Sequence, residues 1–315
     1  MKQGGFDFEG AEKATEHLIS LLPERIAGEL IALSYGQSRF YERLEELRLR
    51  AEGRSSLMIG GRQRYLSGVL DLKEMDDLLL RLCGGSRYAY EECILEGYLP
   101  MEGGVRVGVC GRARYERELL MGVCEVRSLV FRFPHAVDMA LGRVLLDAFL
   151  RARRGLLIYS PPGGGKTTAL RALALALGTK KEPCRVVVLD ERMEFPLSEY
   201  ASATVDILRG YRRVHALAIA HRSMSPEVVM LDEVGGEEEA EALSSLLRGG
   251  AATVCTAHAK SYEDICSRGA LRPFLERGIF DAFLCIKRDK NGFVYRVENV
   301  EDEEEIISEC SVVLA

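Results

Sequence analysis

A glycine-rich stretch near the middle of the chain restricts the fold more than any other feature of the sequence. The apolar segment Leu156–Tyr159 leads directly into Ser160–Thr168, which has the sequence Ser-Pro-Pro-Gly-Gly-Gly-Lys-Thr-Thr, and the helix-forming segment Ala169–Leu177 follows. Glycines let backbone N–H groups surround a phosphate without obstruction by side chains, and the N-terminus of a helix favours an anion. The order strand, glycine loop, helix therefore predicts a phosphate-binding loop (P-loop) rather than a glycine-rich turn with an incidental lysine.

Individual roles can be assigned within this loop. We expect Lys166 to reach the β- and γ-phosphates of ATP and the Thr167 hydroxyl to bind Mg²⁺. Ser160 stands at the first position of the usual pattern G-x-x-x-x-G-K-[ST], and because serine is small we expect the loop to keep its shape. The residues predicted to contact the nucleotide are Ser160, Pro161, Pro162, Gly163, Gly164, Gly165, Lys166, Thr167 and Thr168.

A second apolar run, Val228–Leu231, ends in two acids, Asp232 and Glu233. A buried parallel strand delivers its last side chains to the sheet edge where a phosphate loop also lies. We expect Asp232 to bind magnesium through its water shell and Glu233 to orient and polarise the attacking water as general base. The alternative is a strand that merely ends in a polar turn, and the phosphate loop upstream favours the functional interpretation.

A further apolar strand, Val186–Asp190, is followed directly by Glu191 and Arg192. Two interpretations remain open. In the first, Glu191 acts in the site and Arg192 serves a neighbouring subunit. In the second, Asp190, Glu191 and Arg192 form a surface ion-pair cluster that contributes little to stability.

His258 and Arg222 are the other candidates. His258 follows the strand Thr253–Thr256, which we expect at the same sheet edge, where its imidazole would sense the γ-phosphate by hydrogen bonding. Arg222 precedes the acidic strand, and its guanidinium would reach phosphate of the same or the adjacent subunit. A solvated charge at a helix end is the alternative for Arg222.

Composition limits the classes of partner and compartment. The 42 Lys and Arg against 48 Asp and Glu give a net charge of −6, so no general attraction to nucleic acid or to an anionic membrane is expected. The nine cysteines form no CxxC pair, which predicts neither a disulfide framework nor a zinc site and favours a reducing cytosol. We find no signal-peptide pattern and no apolar run long enough to cross a bilayer, so we expect a cytoplasmic protein that reaches the membrane through partners.

The length of 315 residues and an apolar fraction of 47% suit two domains. We predict an N-terminal α+β domain over 1–135, which begins with a helical pattern over 6–35, then a linker and connecting helix over 136–154. From Gly155, apolar runs alternate with helices, a pattern typical of a parallel sheet. The fold class predicted for 155–315 is thus α/β, a RecA-like P-loop NTPase domain. Its predicted strands are Leu156–Tyr159, Val186–Asp190, Val228–Asp232, Thr253–Thr256 and the terminal pair Ala282–Lys287 and Phe293–Val297.

Several segments together resemble one known family far more selectively than the loop does alone. They are Leu44–Arg50, Glu102–Gly108, Pro161–Thr168, Leu189–Arg192, Arg222–Glu233 and Thr256–His258. On these motifs, most of the chain resembles the stage III sporulation protein AA family of endospore-forming bacteria. That family is itself similar to the traffic and secretion ATPases of type II and type IV systems.

The resemblance implies a hexameric ATPase at the mother-cell face of the channel between mother cell and forespore, with membrane proteins of that channel as partners. It also implies that the N-terminal domain leans over the nucleotide, so that Arg132, and more weakly Arg127 and Arg106, contact phosphate. Gly235 and Gly236 stand where secretion ATPases commonly carry an arginine, which leaves the arginine that acts between subunits unassigned.

Many secretion ATPases also have glycine in place of Asp232, and the acid in this chain therefore favours direct support of the magnesium shell. Two other functions remain open at this point: a RecA-like motor acting on nucleic acid, and an assembly platform that ATP locks with little turnover.

Overall fold

The structure, a computed structural model, describes residues 16–35, 37, 40–134, 137, 139–152, 154–289 and 292–299. The chain forms two units, one comprising Met1–Ala136 with Met193–Glu199 and the other Val137–Arg192 with Tyr200–Ala315. The segment Met193–Glu199 thus groups with the first unit although it lies within the sequence of the second, which the sequence pattern did not predict. The start of the helical pattern predicted over 6–35, residues 6–15, lies outside the described residues.

The first unit is built on a six-stranded antiparallel sheet with the strand order β3-β2-β1-β6-β5-β4. Its strands are β1 Leu44–Arg50, β2 Ser56–Ile59, β3 Arg62–Tyr65, β4 Tyr98–Pro100, β5 Arg106–Glu116 and β6 Leu119–Arg132. Along β1, Leu47 and Leu49 are buried and the residues between and after them are half-buried, the alternation expected of a strand with one face on a core.

Helices pack against this sheet, and their buried apolar residues share one core with those of the strands. The helices are residues 16–21, α1 Glu24–Ser34, α2 Leu72–Leu82 and α3 Glu91–Leu95. Pro23 separates the first two helices, since proline cannot continue a helix from its preceding turn. The helix α2 begins at a capping box, in which the Asp71 carboxylate accepts from the Glu74 N–H and the Glu74 carboxylate from the Asp71 N–H.

The second unit is a seven-stranded sheet with the order β13-β12-β7-β11-β10-β8-β9. Neighbouring strands run parallel, and the edge strand β13 pairs antiparallel with β12. The strands are β7 Gly155–Ser160, β8 Val186–Asp190, β9 Val205–Arg209, β10 Val228–Leu231, β11 Ala252–His258, β12 Ala282–Asp289 and β13 Gly292–Asn299. The helices are α4 Met139–Arg151, α5 Lys166–Thr179, α6 Arg213–Ile219, α7 Glu237–Arg248, α8 Tyr262–Ser267 and α9 Arg272–Glu276.

The central strands of this sheet are covered on both faces. All four residues of β10 and all six of β7 are buried, which explains why these strands have continuous apolar sequences instead of alternating ones. The parallel arrangement brings the carboxyl ends of β7, β8, β10 and β11 to one edge of the sheet, the edge where open α/β sheets bind ligands.

The predicted strands of the parallel sheet and the terminal antiparallel pair are present, with bounds shifted by up to two residues. β9, Val205–Arg209, was missed. Its residues are exposed or half-buried because β9 forms the sheet edge beside β8, so it lacks the apolar run that identified the other parallel strands. His258, predicted to follow its strand, is instead the last residue of β11.

The start of β7 tolerates no side chain. A Cβ built on Gly155 would lie 2.0 Å from the carbonyl oxygen of Ile279, a backbone atom that cannot move aside as the end of a flexible side chain could. Gly155 N–H also donates to the Asp281 carboxylate at 3.2 Å, so the two segments are held close together. Glycine is therefore required here for close approach of two backbone segments.

We predict that Gly155→Ala lowers the free energy of unfolding by about 1–3 kcal/mol, the usual effect of overpacking. Urea unfolding followed by far-UV circular dichroism measures the change. Gly269→Ala is the matched control, because a Cβ there meets no atom within 4 Å, and it should shift stability by no more than about 0.5 kcal/mol. Equal unfolding midpoints for the two variants would contradict the predicted clash.

Candidate functional site

The glycine loop after β7 has the backbone shape of a phosphate cradle. Ser160 is fully buried at the end of β7, and Gly163 and Gly165 have φ of +72° and +83°, the left-handed region that glycine enters without strain. A Cβ on Gly164 would lie 2.3 Å from the Ser160 hydroxyl oxygen. The helix α5 begins at Lys166, so the first N–H groups of this helix directly continue the loop.

Lys166 lies under this loop and is only 5% exposed. Its ammonium donates to the carbonyl oxygens of Ser160 and Pro161 at 3.2 and 3.4 Å and contacts His258 Nδ1 at 2.8 Å. Burial lowers the pKa of Lys166, although the nearby carboxylates of the acidic strand end oppose that change. The lysine is thus placed beside the loop backbone, where a bound polyphosphate would be.

His258 connects Lys166 to Glu233. Its Nε2 lies 2.8 Å from Glu233 Oε1, while Nδ1 faces the Lys166 ammonium. Because an ammonium group only donates, Nδ1 accepts the hydrogen bond from Lys166, which assigns the ring proton to Nε2 and makes Nε2 the donor to Glu233. The lysine predicted to bind phosphate and the glutamate predicted to act as general base are therefore linked through one imidazole.

Asp232 and Thr167 form the second contact across the site. The Thr167 hydroxyl donates to Asp232 Oδ2 at 2.7 Å, and the Thr256 hydroxyl donates to Asp232 Oδ1. A hydroxyl and a carboxylate are hard oxygen donors that suit Mg²⁺. In the described part of the chain no three His, Cys, Asp or Glu side chains cluster as a metal site.

Glu233 follows β10 with φ of +56°, in the left-handed region that non-glycine residues rarely adopt. Arg192 lies 2.7 Å from its Oε2, and His258 2.8 Å from its Oε1. Burial raises the pKa of Glu233, but Arg192, His258 and Lys166 outweigh this effect and hold the pKa below its ordinary value. The carboxylate is therefore ionised at neutral pH.

The structure also brings Glu191 to this cluster, through an arginine that the sequence analysis did not consider. Glu191 Oε2 accepts from Arg213 Nε at 3.0 Å, and Arg213 also donates to the carbonyl oxygen of Glu233. The ion-pair partners are thus Arg213 for Glu191 and Glu233 for Arg192. Sequence patterns give no signal for Arg213, since its partners lie about twenty residues away in either direction along the chain.

Arg222 and Arg132 lie in other surroundings. Arg222 is in a π-helical turn, Ala220–Met224, where its exposed side chain donates to the carbonyl oxygen of Ala218 at 3.2 Å. Arg132 is an exposed residue at the end of β6 in the first unit, opposite Glu46 of β1. Contact of Arg222 or Arg132 with phosphate stays a prediction.

The two weaker arginine candidates have partners within the first unit. Arg127 lies 3.6 Å from the Glu52 carboxylate. Arg106 donates to Glu194 at 2.9 Å, and its guanidinium lies 4.1 Å from the centre of the Tyr98 ring.

Among the described residues, no helix combines the length and the apolar character that crossing a membrane requires.

Comparisons with a family model and with a known protein both point to one family. The family model described as sporulation stage III, protein AA matches residues 15–306. Stage III sporulation protein AA of Bacillus subtilis (strain 168) is 31% identical over 284 residues, which cover 87% of this chain and 91% of that protein.

Two solved structures share the fold. The Legionella pneumophila ATPase DotB superimposes with a TM-score of 0.60 at 13% identity, covering 93% of this chain and 81% of that one. The pilus retraction motor PilT with bound ADP gives a TM-score of 0.61 at 15% identity, covering 88% and 82%. At this identity the likeness shows the fold alone, the α/β fold with a parallel-sheet core that the sequence predicted.

We predict that Arg192→Ala raises the pKa of Glu233, because it removes the largest of the influences that lower this pKa. Titration of the side-chain carboxyl carbon by NMR measures the shift. A carboxylate with a depressed pKa stabilises the fold above its unfolded pKa and loses that contribution as the pH falls through the folded value, so the variant should also unfold at a higher pH on acidification.

Arg272→Ala is the control for this titration. Arg272 is an exposed arginine that pairs with Glu276 at 2.6 Å, and its removal should leave Glu233 unchanged. An identical Glu233 titration in Arg192→Ala and the unaltered protein would show that the Arg192 ion pair has no part in holding the carboxylate ionised.

Proposed function

Because the chain belongs to the sporulation stage III protein AA family, we propose that it is an ATP-hydrolysing motor subunit. The single observation that carries this proposal is the hydrogen-bonded series from Lys166 through His258 to Glu233. It brings a residue predicted to bind phosphate and a residue predicted to act as general base into one site, and hydrolysis of a phosphoanhydride uses both functions.

Each residue of the site has a separate role in the reaction ATP + H₂O → ADP + phosphate. The loop N–H groups and Lys166 bind the phosphates and offset their negative charge. Thr167 and Asp232 would hold Mg²⁺, which when bound neutralises charge on the β- and γ-phosphate oxygens. Glu233, ionised at neutral pH, orients the attacking water and accepts its proton.

His258 couples the predicted phosphate-binding residue, Lys166, to the predicted base, Glu233. In the structure the Lys166 ammonium faces both the loop carbonyls and His258. A γ-phosphate that draws this ammonium toward itself weakens the contact with Nδ1, and the imidazole transmits the change to Glu233 through Nε2. We propose that His258 reports γ-phosphate occupancy to the base in this way, as the position of the residue in the sequence suggested.

The biological role that we propose follows from the family. The chain would act as a homohexamer at the cytoplasmic side of a membrane complex, where it supplies energy to a secretion-like channel between mother cell and forespore during sporulation. Membrane proteins of that channel would be its partners. The shared fold with DotB and PilT supports the motor assignment.

We predict that Lys166→Ala abolishes ATP binding, whereas Glu233→Gln binds ATP and loses turnover by about 10²- to 10⁴-fold, the usual contribution of a general base. Isothermal calorimetry measures binding, and phosphate release measures turnover. The assay should use hexamer-enriched protein, because an arginine from a neighbouring subunit contributes about 10³- to 10⁵-fold where such residues have been measured.

Glu238→Gln is the matched control, since it makes the same substitution at an exposed position of α7 and should keep both activities. Normal turnover by Glu233→Gln would refute the base assignment. An oligomer that binds ATP without turnover would instead indicate an ATP-locked assembly platform, and strong salt-dependent binding to polynucleotide would indicate a motor that acts on nucleic acid.

A further inference from the structure

Arg213, the first residue of α6, occupies a junction between three separate segments of the second unit. Its Nη1 donates to the carbonyl oxygen of Glu233, and its Nε lies 3.0 Å from Glu191 Oε2 and 3.4 Å from Glu239 Oε1. Three quarters of the side chain is removed from solvent. A guanidinium is planar and rigid, so the contacts of Nε with the two carboxylates constrain the direction in which Nη1 points.

The two carboxylates that hold Arg213 are themselves anchored. Glu191 follows directly on β8, a central strand of the sheet. Glu239 lies in the first turn of α7, is buried, and accepts from the Gly235 N–H at 3.0 Å. Burial raises the pKa of Glu239, which makes a nearby cation important for keeping this carboxylate ionised. Arg213 is therefore bound both to the residue after β8 and to the first turn of α7, the helix that follows β10.

The backbone of Glu233 is held from both sides in a conformation that is strained for a residue with a side chain. Its φ is +56°, its N–H donates to the Thr256 hydroxyl at 2.8 Å, and its carbonyl oxygen accepts from Arg213. Non-glycine residues persist in this region only when their surroundings force them to do so. Thr256 and Arg213 supply that constraint through the two polar groups of the Glu233 main chain.

We propose that Arg213 is a positioning residue that holds Glu233 in the left-handed conformation from which its carboxylate meets His258. This inference rests on the proposed function only in so far as Glu233 is the base. When the guanidinium is absent, the Glu233 backbone relaxes toward the more favourable right-handed or extended regions, and the carboxylate moves away from Nε2. A misplacement of about 1 Å costs about 10²-fold in rate.

The kinetic test compares Arg213→Ala, Arg213→Lys and the unaltered protein. A residue that acts only through the position of Glu233 affects kcat and leaves ATP affinity unchanged, so we expect Arg213→Ala to lose about 10²-fold in kcat with an unaltered calorimetric Kd for ATP. Arg272→Ala, which removes an exposed arginine from an ion pair with Glu276, should change neither value.

Arg213→Lys separates positioning from simple charge balance. A lysine keeps a positive charge beside Glu191 and Glu239, but its single nitrogen cannot bind these carboxylates and the Glu233 carbonyl in the geometry of a guanidinium. We expect this variant to recover the thermal stability that Arg213→Ala loses without recovering kcat. Recovery of both would overturn the proposal, because a charge at this place would then be sufficient.

A crystal structure of Arg213→Lys, or of Arg213→Ala where it folds, tests the inference without reference to activity. We expect Glu233 to leave the left-handed region and its carboxylate to lose the contact with His258 Nε2. A Glu233 that keeps its φ and this contact would overturn the proposal. Should Glu233→Gln hydrolyse ATP normally while the Arg213 variants displace Glu233, the base assignment fails and the positioning by Arg213 stands.

Discussion

The parallel register of three neighbouring strands determines where the glycine loop, the two acids and the histidine of the site lie. β11 pairs with β7 so that His258 stands opposite Ser160, the residue from which the phosphate loop departs. β11 also pairs with β10 so that Leu231, the last residue before Asp232, stands opposite Cys255. The loop, the two acids and the histidine therefore leave the sheet at the same level and on the same edge, although up to about one hundred residues separate them along the chain.

Charge balance is the second constraint on this edge, because burial alone would favour neutral forms of the ionisable groups. Each buried or half-buried carboxylate of the cluster has a cation or a hydrogen-bond donor beside it. Glu233 has Arg192 and His258, and its pKa falls. Glu239 has Arg213 and a backbone N–H, yet burial prevails and its pKa rises. The carboxylate predicted to act as the base is thus one whose surroundings lower its pKa.

Much of the fold and part of the site could be predicted from the sequence, because each of those features is local. Contiguous motifs can be recognised because their residue types indicate their chemistry. They are the loop from Ser160 to Thr168, the strand before it and the acids after β10. The edge strand β9 was missed, since a half-exposed strand lacks the apolar run of its neighbours. Arg213 was missed because nothing near it in the chain indicates the three acceptors that it contacts.

The sequence by itself determined that a phosphate loop, an acidic strand end and a histidine strand end exist in this chain, since strand and loop formation depend on neighbouring residues. Only the tertiary structure decided which of these side chains touch. The pairing of β7 with β11 joins Lys166 to His258, and the packing of α6 against α7 and β8 brings Arg213 to Glu233. Contacts of this kind depend on strand order and helix placement, which result from burial of the whole core and not from any segment alone.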